Sequence, residues 1–256
     1  MADQSNTQRR VFEEEALRIV QSATQEGLTL RLLGSLAFQI HSPKWGHLQK
    51  MMGRAYTDLD YAGYSREAAR MEPFFSALGY RGDPEVNLYF AGQRMIFQRP
   101  ENGLHVDVFF DRLNFCHQIN WVGRLEADTP TLPLAEMLLE KMQIVRIGEK
   151  DIIDTVMLLL EHALGAHDDD AINVTHICEL CARDWGLWRT TTMNLGKVAL
   201  LSQEYAPLSA DEKARVVGQV EAILAHIDRQ PKSTAWKIRS AVGDRVKWYQ
   251  DVEETP

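Results

Sequence analysis

The chain has 256 residues, of which 45% are hydrophobic and 25% are charged, and its formal net charge at pH 7 is −8. This composition is typical of a globular protein with a sizeable core and excludes disordered and fibrous classes. Three cysteines are too few for a disulfide framework, and no apolar run approaches the roughly 18 residues that cross a membrane. We therefore expect a cytoplasmic protein with no membrane partner. The negative charge also argues against a broad nucleic-acid-binding surface.

Helical periodicity over residues 7–26 predicts a first helix. Leu28–Leu33 is short and apolar enough for a buried strand, Gly34 ends it, and Ser35–His41 predicts a short helix. A turn from strand to helix leaves free backbone N–H groups at the positive end of a helix dipole, where a phosphate can bind. The following segment, Lys44–Ala55, has no clear periodicity and predicts a mobile loop.

Two aspartates stand on the next predicted strand, Thr57–Ala62. Because Asp58 and Asp60 are two residues apart, their side chains must point to the same side of that strand. A helix is predicted from Ser65 to about Leu78, with a kink or an early end at Pro73. The bland interpretation of Asp58-Leu59-Asp60 is a turn or a solvated strand edge.

Residues 80–111 change to an alternation of period two, interrupted by turn residues at 91–93 and 100–103. This pattern predicts an antiparallel meander with strands at 86–90, near 95–97 and at 104–111. In the last strand Asp107 shares the polar face with His105, so this face could join the first pair of carboxylates.

Helical periodicity dominates from Ala135 onward, and Thr131–Leu134 marks a boundary. We therefore expect two domains, at residues 1–130 and 131–256. The second domain is predicted to hold helices at about 134–147, 150–164, 171–184, 190–204, 209–228 and 234–250.

The three aspartates indicate metal chemistry if their strands are neighbours. Magnesium prefers hard, negative oxygen ligands together with substrate phosphates. Asp58, Asp60 and Asp107 could bind two magnesium ions, one neutralising a triphosphate and one lowering the pKa of an attacking hydroxyl.

The order Gly34-Ser35, Asp58-Leu59-Asp60 and Val106-Asp107-Val108 resembles the nucleotidyltransferase superfamily that includes the DNA polymerase beta-like enzymes. The resemblance implies an α+β fold, with a mixed β-sheet flanked by helices and a mainly helical C-terminal domain. It implies ATP or another nucleoside triphosphate as donor and magnesium bound by the three aspartates. Gly34 and Ser35 would hold the triphosphate.

A second stretch, Leu138–Arg146 followed by Glu149–Asp154, resembles two helices of the minimal nucleotidyltransferases related to bacterial abortive-infection toxins. In that family a lysine contacts the nucleotide phosphates and a late aspartate completes the site, which here implies Lys141 and Asp154. The alternative is a charged surface on an amphipathic helix. The interval that contains residues 44–55 is longer than in the smallest family members, and this excess could belong to the acceptor pocket.

Other segments carry weaker signals. His176, Cys178 and Cys181 could form half of a zinc site, but no second half exists in the sequence, so the cysteines are interpreted as small core residues. Cys116-His117 resembles a nucleophile and base in composition only. The tail over residues 232–249 mixes basic and aromatic side chains, which could hold a tRNA end, although packing of the aromatic rings is favoured.

Together these features predict a magnesium-dependent nucleotidyltransferase. It would transfer a nucleoside monophosphate from ATP or another triphosphate to a hydroxyl acceptor, either a small molecule or a tRNA end, and release pyrophosphate. Asp107 would also help to activate the acceptor. The alternative is a catalytically weak nucleotide-binding or regulatory member of a toxin–antitoxin pair.

Overall fold

The computed structural model describes the backbone of residues 2–252 and the side chains from residue 9 onward. The chain forms two compact units, and each is discontinuous in sequence. Unit 1 comprises Met1–His41, Gly53–Leu113 and Asn120–Pro133, whereas unit 2 comprises Ser42–Met52, Asn114–Ile119 and Leu134–Pro256. The division into domains at residues 1–130 and 131–256 stays a prediction.

The described residues form an α+β structure, which confirms the predicted fold class. The strands are β1 (Arg31–Leu33), β2 (Asp58–Gly63), β3 (Arg81–Gly82), β4 (Arg94–Gln98), β5 (His105–Phe110), β6 (Arg112–Asn114), β7 (Gln118–Asn120), β8 (Ala163–Gly165) and β9 (Ala171–Asn173). The helices are α1 (Ala2–Gln25), α2 (Gly34–His41), α3 (Gly46–Met51), α4 (Ala68–Ala77), α5 (Pro84–Tyr89), α6 (Leu134–Met142), α7 (Glu149–Glu161), α8 (Val174–Arg183), α9 (Trp185–Glu204), α10 (Ala210–Arg229) and α11 (Thr234–Val242). None of these helices is both long and apolar enough to cross a membrane.

Unit 1 contains a five-stranded mixed sheet in the order β1-β2-β5-β4-β3. The central pair, β2 and β5, is parallel, and the other neighbours are antiparallel. Apolar and polar residues alternate along β2 and β5, so this pair of strands has one buried face and one polar face. Leu59, Tyr61, Val106 and Val108 are fully buried on one face, while the residues between them carry the acids.

The predicted strand at residues 86–90 is wrong, because this segment lies in helix α5. Asp83 caps that helix: its Oδ1 accepts the backbone N–H groups of Glu85 at 3.0 Å and Val86 at 2.9 Å. Pro84 occupies the first helical turn, where its missing N–H costs nothing. The local capping signal therefore overrides the alternation of Val86, Leu88 and Phe90.

The predicted loop at residues 44–55 is wrong for residues 44–51 and holds for residues 52–55. Pro43–Trp45 is a 3-10 helix and α3 follows it directly. Within unit 2, Leu48 is fully buried and the amide Nε2 of Gln49 donates to Asp154 Oδ1 at 2.7 Å. Such short elements are stabilised by tertiary contacts and carry too few residues to show a period.

Several predicted helix ends also need correction. In α4 the helix continues through Pro73 to Ala77, so the predicted early end is not found. The parallel pair β8 and β9 is not predicted, because residues 163–164 and 171–173 fall within the predicted helices at 150–164 and 171–184. The last predicted helix, at 234–250, ends at Val242, and Gly243 follows with a φ of 61°.

Candidate active site

The turn at Gly34 joins β1 to α2 and lies against Asp60. Gly34 has a φ of +75°, a conformation that residues with a Cβ rarely adopt. A Cβ added at this position would lie 2.8 Å from Asp60 Oδ2. Glycine is thus needed here both for the backbone conformation and for the close approach of the carboxylate. Ser35 follows as the second residue of α2 and is partly exposed.

The three predicted aspartates share one face of the sheet in unit 1. In the parallel pair of β2 and β5, Asp60 is in register with Asp107, and Asp58 is in register with His105. Neighbouring strands lie about 4.8 Å apart, and side chains in register point to the same face. We call Asp58, Asp60 and Asp107 the carboxylate face.

Exposure differs among the members of the carboxylate face. Asp58 is exposed, and the Thr57 hydroxyl donates a hydrogen bond to its Oδ1. Asp60 is half-buried beside Gly34, while the side chain of Asp107 is only 14% exposed. A ligand that approaches from solvent therefore meets Asp58 and Asp60 more readily than Asp107.

Arg94 lies on the same side of the sheet as the carboxylate face, and the sequence analysis missed it. It stands on β4, and its Nε lies 3.0 Å from Asp107 Oδ1 and 2.9 Å from Asp107 Oδ2. Its Nη2 also donates to Asp107 Oδ2, and its guanidinium lies 5.3 Å from the centre of the Phe109 ring. The signal was available in the predicted hairpin: pairing strands on either side of the turn at 100–103 places Arg94 diagonally opposite Asp107.

Burial and charge act on this pair in opposite directions. Burial raises the pKa of the Asp107 carboxyl above its ordinary value, Arg94 opposes that rise, and the negative charge of Asp58 adds to it. The hydrogen bonds to Asp107 raise the pKa of Arg94, and Asp60 contributes to that shift through its charge. The guanidinium is therefore a fixed positive charge within electrostatic reach of Asp60 as well as Asp107.

The carboxylate face suits magnesium by its chemistry, because all of its donors are hard oxygens. Among the described residues, however, no three His, Cys, Asp or Glu side chains are grouped so that they could hold a metal ion. Both oxygens of Asp107 also accept hydrogen bonds from Arg94. A magnesium ion at Asp58 and Asp60 would complete its shell with substrate phosphates and water, as magnesium sites commonly do.

Lys141 and Asp154 lie together within unit 2. Lys141 Nζ lies 3.1 Å from Asp151 Oδ1, 3.3 Å from Asp154 Oδ2 and 3.7 Å from Glu140 Oε1. The lysine side chain is 8% exposed and that of Asp154 is fully buried. This buried ion cluster rules out the alternative of a solvated charged surface. A role of Lys141 and Asp154 in nucleotide binding stays a prediction.

The adjacent pair Cys116-His117 does not form a nucleophile and base that face each other. His117 is buried in unit 2, where its Nε2 lies 2.8 Å from the Thr190 hydroxyl and its backbone N–H donates to Gln143 Oε1 at 3.0 Å. Burial lowers the pKa of His117, with a smaller opposing effect from Asp184. These contacts assign the histidine to the core of unit 2.

We expect His117 to make the protein less stable at mildly acidic pH. Its folded-state pKa lies below the ordinary 6.5, so as the pH falls below that value the unfolded chain binds a proton that the folded chain does not. The free energy of unfolding then falls by up to about 1.4 kcal/mol per pH unit until the folded pKa is reached. In His117→Gln this loss should be absent.

Urea unfolding of both proteins at pH 7.5, 6.5 and 5.5 measures this effect. The difference in unfolding free energy between wild type and variant should narrow as the pH falls. A difference that is constant with pH would contradict the assignment of a depressed pKa to His117.

The remaining sequence signals are resolved within unit 2. Cys178 and Cys181 are buried in α8, and burial raises the pKa of their thiols to about 11 and about 12. The prediction that they are core residues is confirmed. The predicted packing of the tail is confirmed too, since Trp248 Nε1 donates to the Thr190 hydroxyl at 3.0 Å and the rings of Trp236 and Trp188 meet edge to face at 5.0 Å.

Comparison with known proteins gives a limited result. No protein-family model matches the chain, and a search of curated proteins finds no match. Among solved structures the chain is similar to the solution structure of the antibiotic-resistance factor ANT(2'')-Ia, with 13% sequence identity and a TM-score of 0.39. The match covers 70% of this chain and 95% of that one. Similarity at this level assigns neither a family nor an activity to the chain.

Proposed function

We propose that this chain is a nucleotidyltransferase that moves a nucleoside monophosphate from ATP or another nucleoside triphosphate to a hydroxyl group and releases pyrophosphate. The position of Asp60 supports this proposal most. Its carboxylate meets the backbone of the Gly34 turn on one side and is in register with Asp107 on the neighbouring strand. The turn at Gly34, which we propose as the phosphate site, and the pair of Asp60 and Asp107 lie side by side in unit 1.

Each residue has a proposed role. The backbone N–H groups at the start of α2, together with the Ser35 hydroxyl, hold the triphosphate. Asp58 and Asp60 hold magnesium, and Asp107 shares a metal and helps to activate the acceptor hydroxyl. When bound, magnesium neutralises phosphate charge and lowers the pKa of the attacking hydroxyl. Lys141 and Asp154 are kept as nucleotide-contacting residues on the resemblance to the minimal nucleotidyltransferases alone.

The finer parts of the proposal concern the acceptor and the subfamily. We propose a small molecule or a tRNA end as acceptor, action in the cytoplasm, and a relationship to the minimal nucleotidyltransferases of abortive-infection systems. No side chain in the described structure selects one acceptor over the other. The experiment therefore has to offer both.

The test is incubation of the full chain with labelled ATP, GTP, CTP or UTP, magnesium, and a mixed pool of tRNA and small hydroxyl compounds. Asp58→Ala serves as the control. Magnesium-dependent label in an acceptor, together with pyrophosphate release above that control, is the expected result. No transfer above the Asp58→Ala background with any of the four triphosphates would contradict the proposal.

One observation favours a second candidate, a nucleotide-binding protein that does not turn over. Arg94 donates to both oxygens of Asp107 and so competes with a metal ion for the third carboxylate of the proposed site. Calorimetry separates the two candidates. Triphosphate binding that is unchanged by magnesium favours the binding protein, whereas binding that requires magnesium favours the enzyme.

A further inference from the structure

Arg94 forms an ion pair with Asp107 of the carboxylate face, and this contact is bidentate. Bidentate pairs of arginine and carboxylate are among the strongest hydrogen-bonded contacts in proteins, because the planar fork matches both oxygens. The Phe109 ring supports the guanidinium from the neighbouring strand. Arg94 is therefore held in place from two sides.

The same contact has a consequence for metal binding. Arg94 donates hydrogen bonds to both oxygens of Asp107, so a divalent cation that takes Asp107 as a ligand has to share this carboxylate with the guanidinium. The positive guanidinium also repels the cation. Solvent screens this repulsion only in part, because the Arg94 side chain is 31% exposed and that of Asp107 only 14%. Cation and arginine thus compete for one carboxylate.

We propose that Arg94 competes with divalent cations for Asp107 and so weakens metal binding by the carboxylate face in the absence of nucleotide. This inference rests on the proposed function, because it names the group that controls metal occupancy of the same site. It makes Arg94 a positioning residue, which acts through Asp107. If Arg94 only held Asp107 in position, its substitution would have the opposite effect, because Asp107 would be free to move and metal binding would become weaker.

The experiment measures manganese binding to the full chain without nucleotide, by the electron paramagnetic resonance signal of free Mn²⁺. In Arg94→Gln the dissociation constant for manganese is expected to fall by about tenfold, because a positive charge next to a divalent ion is removed. In an Asp107→Asn background the same change is expected to have less than about a twofold effect, since the shared ligand is gone.

Arg81→Gln is the matched control. Arg81 is exposed on β3 and is in register with Gln98 on β4. Gln98 is in register with His105 on β5, and His105 is in register with Asp58 on β2. Arg81 therefore stands on the same face as the carboxylates, one strand further from β5 than Arg94. Its charge is largely screened over the distance of two strands at about 0.1 M salt, so its loss should change the manganese dissociation constant by less than about twofold.

Circular dichroism establishes that each variant folds. If Arg94→Gln does not fold, Arg94→Met takes its place, because it also removes the positive charge and must still lower the dissociation constant. Equal or weaker manganese binding by the folded Arg94 variant than by wild type would overturn the inference. So would an Arg81→Gln effect as large as that of Arg94→Gln.

Failure of this inference is distinguishable from failure of the proposed function. Label transfer by wild type with unchanged manganese affinity in the Arg94 variant overturns only the role of Arg94. Tighter manganese binding in that variant without transfer by wild type supports the role of Arg94 and contradicts the enzymatic function. If neither wild type nor any variant binds manganese, the proposed competition between Arg94 and divalent cations is overturned.

Discussion

Alanine at position 34 is expected to reduce nucleotidyl transfer by about 100-fold or more while costing only about 1–2 kcal/mol of unfolding free energy. The new Cβ would lie 2.8 Å from Asp60 Oδ2, and the end of a flexible side chain moves at little energetic cost. The stability loss therefore comes mainly from the φ of +75°. The activity loss comes from moving a proposed metal ligand and the turn that holds the phosphates.

Gly92→Ala is a matched control for this prediction. Gly92 belongs to the same unit and has a φ of +73°, but a Cβ added there would meet no atom within 4 Å. The two variants should lose similar unfolding free energy in urea titrations, and only Gly34→Ala should lose transfer. Comparable activity in the two variants would contradict a role for the contact between Gly34 and Asp60.

Asp60→Asn is expected to reduce the rate of transfer at saturating triphosphate by about 1,000-fold or more, because an amide is a poor magnesium ligand and several kcal/mol of charge stabilisation are lost. The free energy of unfolding of Asp60→Asn should not fall, although its activity does. The substitution removes one of three negative charges from the carboxylate face, and like charges on neighbouring strands repel one another.

Asp83→Asn provides the same chemical change elsewhere in unit 1. Asp83 caps α5 through its Oδ1, and asparagine caps helices about as well as aspartate, so both activity and stability should be retained. The measurement is label transfer under the conditions that give product with wild type, together with thermal unfolding of each variant. Transfer by Asp60→Asn within about tenfold of wild type would show that Asp60 is not a metal ligand.

The carboxylate face could be predicted in large part from the sequence. Residues two apart on a strand share a face, so Asp58 and Asp60 had to point the same way wherever that strand lay. Asp107 follows the same alternation, with Val106 and Val108 buried on the other side. A metal site formed by the three aspartates requires β2 and β5 to be neighbours, and the register of Asp60 with Asp107 meets that requirement.

Errors in the predicted secondary structure arose where helix-capping residues and the periodicity of apolar residues pointed to different elements. The alternation at residues 86–90 predicted a strand, yet Asp83 and Pro84 form a helix start that determines α5. In α3 the opposite problem occurs, because six residues hold too little period to detect. The parallel pair β8 and β9 is three residues long in each strand and is set by tertiary contacts.

The sequence by itself determined the chemistry of the Gly34 turn and the acidic strand, since glycine, serine and alternating aspartates restrict both conformation and ligand type over a few neighbouring residues. The tertiary structure decided which groups meet across long separations. It placed Asp60 against Gly34, turned both oxygens of Asp107 toward Arg94, and buried Lys141 among Glu140, Asp151 and Asp154. Such partnerships depend on strand register and helix packing, which are properties of the whole fold. The hairpin pattern indicates the pairing of Arg94 with Asp107, whereas the contacts of Gly34 and Lys141 leave no local pattern in the chain.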